Sequence, residues 1–203
     1  MNEIQVYDYD IRTTLVCFLV MLILYALFGR KKMTFFRGMA FCLYVTYIVT
    51  VLGVTLSPIP LNLHTVQTMR FYYYDGYEWY NFKLFNTLLY YEYGVSQFIL
   101  NILMFVPFGL LYPFAKDKFS FGKVLIMTML FTLLIEGTQL ALAFICDTPQ
   151  WYFDVDDLLA NTLGGILGYI LAIIIKPAFY PYMHKRKRIR MISEPIEQEA
   201  EFY

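Results

Sequence analysis

The chain has 203 residues, of which 59% are hydrophobic, 20% aromatic and only 16% charged. A soluble domain carries charge at roughly a quarter to a third of its positions, so these proportions exclude an ordinary water-soluble protein and make the bilayer the solvent. The 16 basic and 16 acidic residues cancel formally, which leaves their distribution along the chain as the informative quantity.

In chain order, residues 1–10 read as a short extracytoplasmic amino terminus. Residues 11–29 are apolar over a spanning length, since roughly 17 to 25 residues cross a hydrocarbon core of about 30 Å. Glu3, Asp8 and Asp10 precede this span and Arg30, Lys31 and Lys32 follow it, the reverse of a signal peptide's charge order. Residues 38–56 form a second span, so 11–56 reads as two amino-terminal transmembrane helices. Residues 57–97 are the only large stretch between spans, and they hold Trp79 and eight tyrosines: Tyr72, Tyr73, Tyr74, Tyr77, Tyr80, Tyr90, Tyr91 and Tyr93. Two readings suit that composition: an aromatic belt in the headgroup zone, or a platform on which a ring-bearing ligand stacks.

Three further spans, 98–114, 124–146 and 158–175, make a core over residues 98–175. Pro107 predicts a kink in the third span, just below Asn101. The tail at 176–203 is basic and then acidic. Its run at 185–190 is a topology determinant or lipid anchor, and 193–203 is weakly patterned enough to be locally disordered. Cys17, Cys42 and Cys146 have no framework or metal-site spacing and read as structural thiols. The fold class is all-α, a polytopic membrane helix bundle of about five transmembrane helices with a kinked third span and an aromatic outer loop.

Lysine and arginine counting orients the bundle. Arg30, Lys31, Lys32, Arg37, Lys116, Lys118, Lys123, Lys176 and the tail cations fall on one side, while Arg12, Arg70 and Lys83 fall on the other. The positive-inside rule then predicts an outer amino terminus and a cytoplasmic carboxyl terminus. At 1.5 Å per residue, Asn101 and Asn161 lie about 5 Å below the outer ends of their spans, Gln139 about 10 Å and Glu136 about 15 Å, with Asp157 at the mouth of the fifth span. Glu136 and Gln139 share one helix face, as do Asp157 and Asn161. If these faces meet that of Asn101, they form a polar cleft that opens outward, with Asp154, Asp156 and Asp157 at its rim.

Each feature has a plainer explanation as well. Asp154 or Asp156 can cap the fifth span, although one acid suffices for that. Asn101, Gln139 and Asn161 can be interhelical hydrogen-bonding glue. Glu136 needs a partner, a water-filled cavity or a neutral state. Gly164 and Gly168, with Gly165 beside them, read as a close helix-packing face.

The same residues carry a resemblance. The stretch from Asn101 to Leu111, then Glu136 and Gln139, then Phe153-Asp154-Val155-Asp156-Asp157 with Asn161, Gly164, Gly165, Gly168 and Tyr169, resembles the VanZ-like family over about residues 50–175. The resemblance implies a small bacterial integral membrane protein, and the family's founding member is associated with reduced susceptibility to the glycopeptide teicoplanin. Two positions depart from the family pattern. Trp151 stands where an arginine often precedes the acids, and Leu84 stands in place of a proline in the 81–85 loop motif. Without that arginine, the acids need Arg70, Lys83, a metal ion or a ligand as counter-charge.

There is no Walker loop, no Gly-x-Gly-x-x-Gly and no His-Glu-x-x-His, and His64 and His184 fall on opposite sides of the membrane. The remaining chemistry is that of carboxylates, which can hold a hard divalent cation and polarise a phosphoryl oxygen. The preferred expectation is a non-enzymatic accessory protein of the cell envelope that binds an amphipathic glycopeptide or lipid-linked molecule at the outer leaflet. The alternative is a metal-assisted hydrolase or transferase acting on lipid-linked cell-wall precursors. The catalytic residues and the metal ligands of that alternative stay unassigned. Expected partners are the lipid bilayer, the glycopeptide or wall precursor, and other membrane proteins docking on the same helix faces; no nucleic acid is expected.

Overall fold

The computed structural model describes residues 6–28, 34–72, 78–116, 118–148 and 150–183. The basic run at 185–190, the acidic tail at 193–203, His184, Arg30, Lys31, Lys32, Tyr73, Tyr74, Tyr77 and the side chain of Arg70 lie outside the described residues. The elements in chain order are β1 (Val6–Tyr7), α1 (Ile11–Phe28), α2 (Phe35–Leu56), β2 (Ile59–Pro60), α3 (Leu63–Tyr72), β3 (Tyr80–Asn81), α4 (Asn86–Tyr90), α5 (Gly94–Lys116), α6 (Phe121–Cys146), β4 (Phe153–Asp154) and α7 (Val155–Met183). β1 pairs antiparallel with β2, and β3 pairs parallel with β4.

Helices α2, α5, α6 and the Val155–Phe179 part of α7 are long and apolar enough to cross a bilayer, and Ile11–Leu27 is a shorter apolar helix. The chain is thus an all-α, multi-pass membrane bundle. Its helices outrun the apolar stretches that signal them. α5 begins at Gly94 rather than 98, α6 at Phe121 rather than 124, and α7 runs from Val155 to Met183 rather than from 158 to 175. Hydropathy marks the part that lipid covers, whereas the backbone ladder continues until a cap or turn ends it. At the start of α2 that cap is Thr34, whose hydroxyl accepts from the Arg37 amide.

The α5–α7 pair forms the centre of the bundle, with the most extensive helix contact. Gly164 and Gly168 of α7 lie against the backbone carbonyls of Ile102 and Val106 on α5, and Gly109 of α5 lies against the carbonyl of Gly165. A side chain at any of these three positions would meet rigid backbone, so glycine sets how closely the helices approach. Around this seam, Phe105, Phe108 and Tyr112 join Val51, Val124 and Ile135 in a buried cluster. Phe108 stacks on Phe131 with ring centroids 5.3 Å apart at 16°.

α2 and α6 flank the pair, and α1 packs on α2. α5 continues through Pro107 and Pro113. Pro107 removes one amide donor from the ladder, and one residue along, the Tyr47 hydroxyl of α2 donates to the Met104 carbonyl at 2.8 Å. The Phe108 amide hydrogen-bonds the same hydroxyl, so a side chain is inserted into the ladder beside the proline. Such insertions are a recognised cause of helix bending. One turn along α2 from Tyr47, Thr50 is held to the chain's beginning, where Tyr9 shares hydrogen bonds with Thr14 and Thr50 at 2.8 and 3.2 Å.

The 57–97 stretch carries α3, α4 and two short strands rather than irregular chain alone. Its part from 80 to 93 sits over the end of the bundle where α7 begins.

Candidate functional site

The residues after α6 decide the geometry of the acidic segment. Asp147 ends α6 in the left-handed conformation, with φ 52°, and the chain then folds back against the bundle. Trp151 and Phe153 are buried on this return. The Trp151 indole N–H donates to the Leu56 carbonyl at the end of α2, at 3.1 Å. The strand that this return forms, β4, is anchored to β3 by the Phe153 amide donating to the Trp79 carbonyl at 3.0 Å.

Asp154 is 1% exposed and works in three directions. Its Oδ1 accepts from the Asp156 amide at 2.9 Å, which makes it the N-cap of α7. The same oxygen accepts from Asn81 Nδ2 at 3.1 Å, and the Thr87 hydroxyl also bonds this carboxylate. The Asp154 amide in turn donates to Glu136 Oε2 on α6 at 3.0 Å. Among the described residues its second oxygen, Oδ2, is buried without a partner. Burial pushes the Asp154 carboxyl above the usual carboxylate range, against the opposing pull of the bonds from Thr87, the Asp156 amide and Asn81.

Asp156, also 1% exposed, does a different job. Its two oxygens accept from the amides of Phe85 and of Leu88, the latter at 3.1 Å. Those amides belong to the first turn of α4, whose own N-cap, Phe85, has φ 61° and supplies no side-chain acceptor. A bulky residue in the left-handed region costs roughly 1–2 kcal/mol, and the remote carboxylate holds it there. Asp156 therefore caps a helix some 70 residues upstream of it, while Asp154 caps its own.

Asp157 lies in the first turn of α7 and is half-buried. Gln97 Nε2 donates to its two oxygens at 3.1 and 3.4 Å, and Asn101 bonds the same carboxylate. One turn into α7, Asn161 donates to the Thr132 hydroxyl at 2.8 Å. Its Oδ1 is buried and unpartnered among the described residues. Gln139 Nε2 donates to the Thr55 carbonyl at 3.0 Å, one residue before α2 ends. The structure thus gathers Asn101 with Asp157, and Glu136 with Asp154. It leaves Asn161 facing Thr132, and Gln139 facing α2.

α6 ends at Cys146, which leaves Gln139 about 10 Å and Glu136 about 15 Å from that end along the helix, as the sequence count has them. Because Gln139 meets the end of α2, the last two turns of α6 extend past that level, and Glu136 sits about 5 Å below it at 1.5 Å per residue. Glu136 is 2% exposed nonetheless, buried by protein rather than by helix depth. Asp154 and Asp156 are likewise enclosed rather than standing at a water-washed rim. The cause is the return of residues 150–154 against the bundle, which hydropathy does not register.

Several residues of this network escape the sequence reading. Gln97 lies one turn before Asn101 on one face of α5, and Thr132 one turn before Glu136 on α6, so i,i+4 spacing held both signals. Asn81 accepts from the Lys83 amide at 3.0 Å, an Asx turn, but nothing in the sequence announces its bond to Asp154. Trp151, in the position where the resemblance expects arginine, is 1% exposed and packs with Ala143 and Cys146. Among the described residues the partners of these acids are amides and hydroxyls, and no group of three or more His, Cys, Asp or Glu side chains is arranged to hold a metal ion. The arrangement is chemically a hydrogen-bonded latch joining the 80–93 segment to the helix bundle.

Within that latch, Phe82, Leu89, Tyr90 and Tyr93 are exposed, Tyr90 to 81%. No solved structure matches the chain. The family model described as VanZ/LLP1 matches residues 14–176, a range that takes in the whole latch and the glycine seam beneath it. The chain belongs to the VanZ/LLP1 family.

Proposed function

We propose that this chain is a non-enzymatic accessory protein of the bacterial cell membrane that binds an amphipathic glycopeptide or lipid-linked wall precursor and lowers teicoplanin susceptibility. The observation that carries this reading is the exposed aromatic row at 82–93, fixed to the bundle by buried carboxylates and ending beside the half-buried Gln97–Asp157–Asn101 group. A rigid apolar surface with one polar group at its edge suits a molecule with ring or lipid parts and a polar head. Exposed apolar patches of this kind commonly mark interaction surfaces.

The positive-inside count supports placing this end outside, with the amino terminus outer and the carboxyl terminus cytoplasmic. In this reading Asn101 and Asp157 meet the ligand. Glu136, Asp154, Asp156 and Asn161 hold the surface in place, and Gln139 ties α6 to α2. The glycines Gly164, Gly165 and Gly168 keep the supporting helices together.

The test is a fluorescence titration of nanodisc-embedded protein with labelled teicoplanin and, separately, with a lipid-linked wall precursor. Wild type should saturate with at least one of them. A Tyr90→Ser/Tyr93→Ser variant and Asp157→Asn should each weaken that binding about tenfold or more, a loss of about 1.4 kcal/mol. In cells the same variants should restore teicoplanin susceptibility at unchanged membrane abundance. Binding of neither molecule by the wild type, or equal binding by all forms, would remove the proposal.

A further inference from the structure

The Tyr47 hydroxyl of α2 stands in a rung of the α5 ladder. It donates to the Met104 carbonyl at 2.8 Å and accepts from the Phe108 amide, the two groups that an uninterrupted helix joins to each other. The rung before it is lost to chemistry, because Pro107 has no amide to offer the Leu103 carbonyl. Two consecutive rungs of α5 are thus altered, one by proline and one by a side chain from another helix. Burial divides α5 at the same place. Apart from Gly94, its buried residues begin at Phe105, and residues 95–104 are exposed or half-buried. The glycine seam with α7 reaches outward only as far as Ile102. Beyond it, among the described residues, the side-chain hydrogen bonds that join this outer segment to α7 are those of Gln97 and Asn101 to Asp157. On α2, Thr50 lies one turn from Tyr47 and is tied to Tyr9 and Thr14 near the chain's beginning.

We infer that α5 is a hinged helix and that the Tyr47 hydroxyl is its pin, a positioning group that keeps residues 94–103 where Gln97 and Asn101 reach Asp157. A side chain inserted in the ladder sustains a bend. When the hydroxyl withdraws, the Phe108 amide returns to the Met104 carbonyl, the bend relaxes and the outer segment swings off Asp157. The inner half of α5 stays where it is, held by the seam at Gly109 and by the buried rings of Phe105, Phe108 and Tyr112. A displacement of α2 therefore opens the Gln97–Asp157–Asn101 group without unpacking the centre of the bundle. The pin governs how that group is assembled and is independent of what the group binds.

The experiment measures distances by pulsed electron paramagnetic resonance on the full chain in nanodiscs. Nitroxides are placed at the exposed positions Val95 and Ile145, on a genetically encoded ketone amino acid so that the native cysteines stay. Val95 is about 14 Å along the helix from Met104, so relaxing a bend of about 20° moves it by about 5 Å. Tyr47→Phe, which removes only the hydroxyl, should shift the mean Val95–Ile145 distance by about 3–5 Å. A Lys116–Ile174 pair, exposed at the inner end, should keep its distance and shows that the variant is folded. Pro107→Ala leaves the pin in place and should keep the wild-type Val95–Ile145 distance, whereas Pro107→Ala/Tyr47→Phe, which lets both rungs close, should shift it at least as far as Tyr47→Phe. An unshifted Val95–Ile145 distance in Tyr47→Phe overturns the inference, and so does an equal shift at the inner pair or a full shift in Pro107→Ala alone.

Discussion

Asp156→Asn separates a latch from a general structural acid. The carboxylate accepts from the amides of Phe85 and Leu88, and each hydrogen bond to a charged group contributes about 1.5–3 kcal/mol net. Asparagine keeps one acceptor oxygen and turns an NH2 group toward the other amide. At least one bond is lost, a backbone donor is stranded, and Phe85 is no longer held at φ 61°. Together these changes lower the free energy of opening the 80–93 segment by about 2–4 kcal/mol, or roughly 30- to 800-fold in the open population. Hydrogen exchange read by mass spectrometry on nanodisc-embedded protein measures this directly. Peptides covering 80–93 should lose protection by that factor while α5, α6 and the body of α7 keep theirs. Asp157→Asn is the control, since its carboxylate bonds Gln97 and Asn101 on α5 rather than the segment, and it should leave 80–93 protected. Unchanged exchange in 80–93 would refute the reasoning, as would an even loss of protection along all three helices.

Two further outcomes follow from the seam and from the cap. Gly109→Ala and Gly168→Ala each drive a methyl group into facing backbone and should lower the unfolding midpoint in detergent by the equivalent of about 1–3 kcal/mol. Gly137→Ala, where an added Cβ meets nothing, should be neutral or stabilising by up to about 1 kcal/mol, and equal behaviour at all three sites would contradict the packing. Asp154→Asn probes ionisation: because burial raises the carboxyl's pKa in the folded chain, the folded state holds its proton to higher pH than the unfolded state does. Its stabilising contribution is therefore complete below the ordinary aspartate value, about 3.9, and is lost as pH rises through the raised folded value. The variant should gain on wild type as pH increases across that window, and a difference in melting temperature that is flat with pH counts against it.

Much of this fold was legible because a bilayer constrains sequence heavily. Apolar runs located the spanning helices, and Gly164 and Gly168 stood at the spacing of a packing face that the α5–α7 contact then uses. The acidic segment was also visible as a unit, yet the different duties of its members were not. Asp154, Asp156 and Asp157 are near neighbours in sequence but turn toward a strand, a short helix and α5 respectively. That division depends on the return of residues 150–154 against the bundle, where Trp151 meets the end of α2 and Phe153 the Trp79 carbonyl before β3. α6 also extends beyond the end of α2, as the Gln139–Thr55 bond shows, and apolar runs do not announce that offset.

The Asp156 cap on α4 also orders events during synthesis. The acceptor is made 71 residues after Phe85, the first donor, and ribosomes add about 5–20 residues per second. For several seconds the aromatic segment has been made without the group that fixes it. Its surface is completed only when the start of α7 arrives, so a nascent chain interrupted before that helix would carry the tyrosines but not their arrangement.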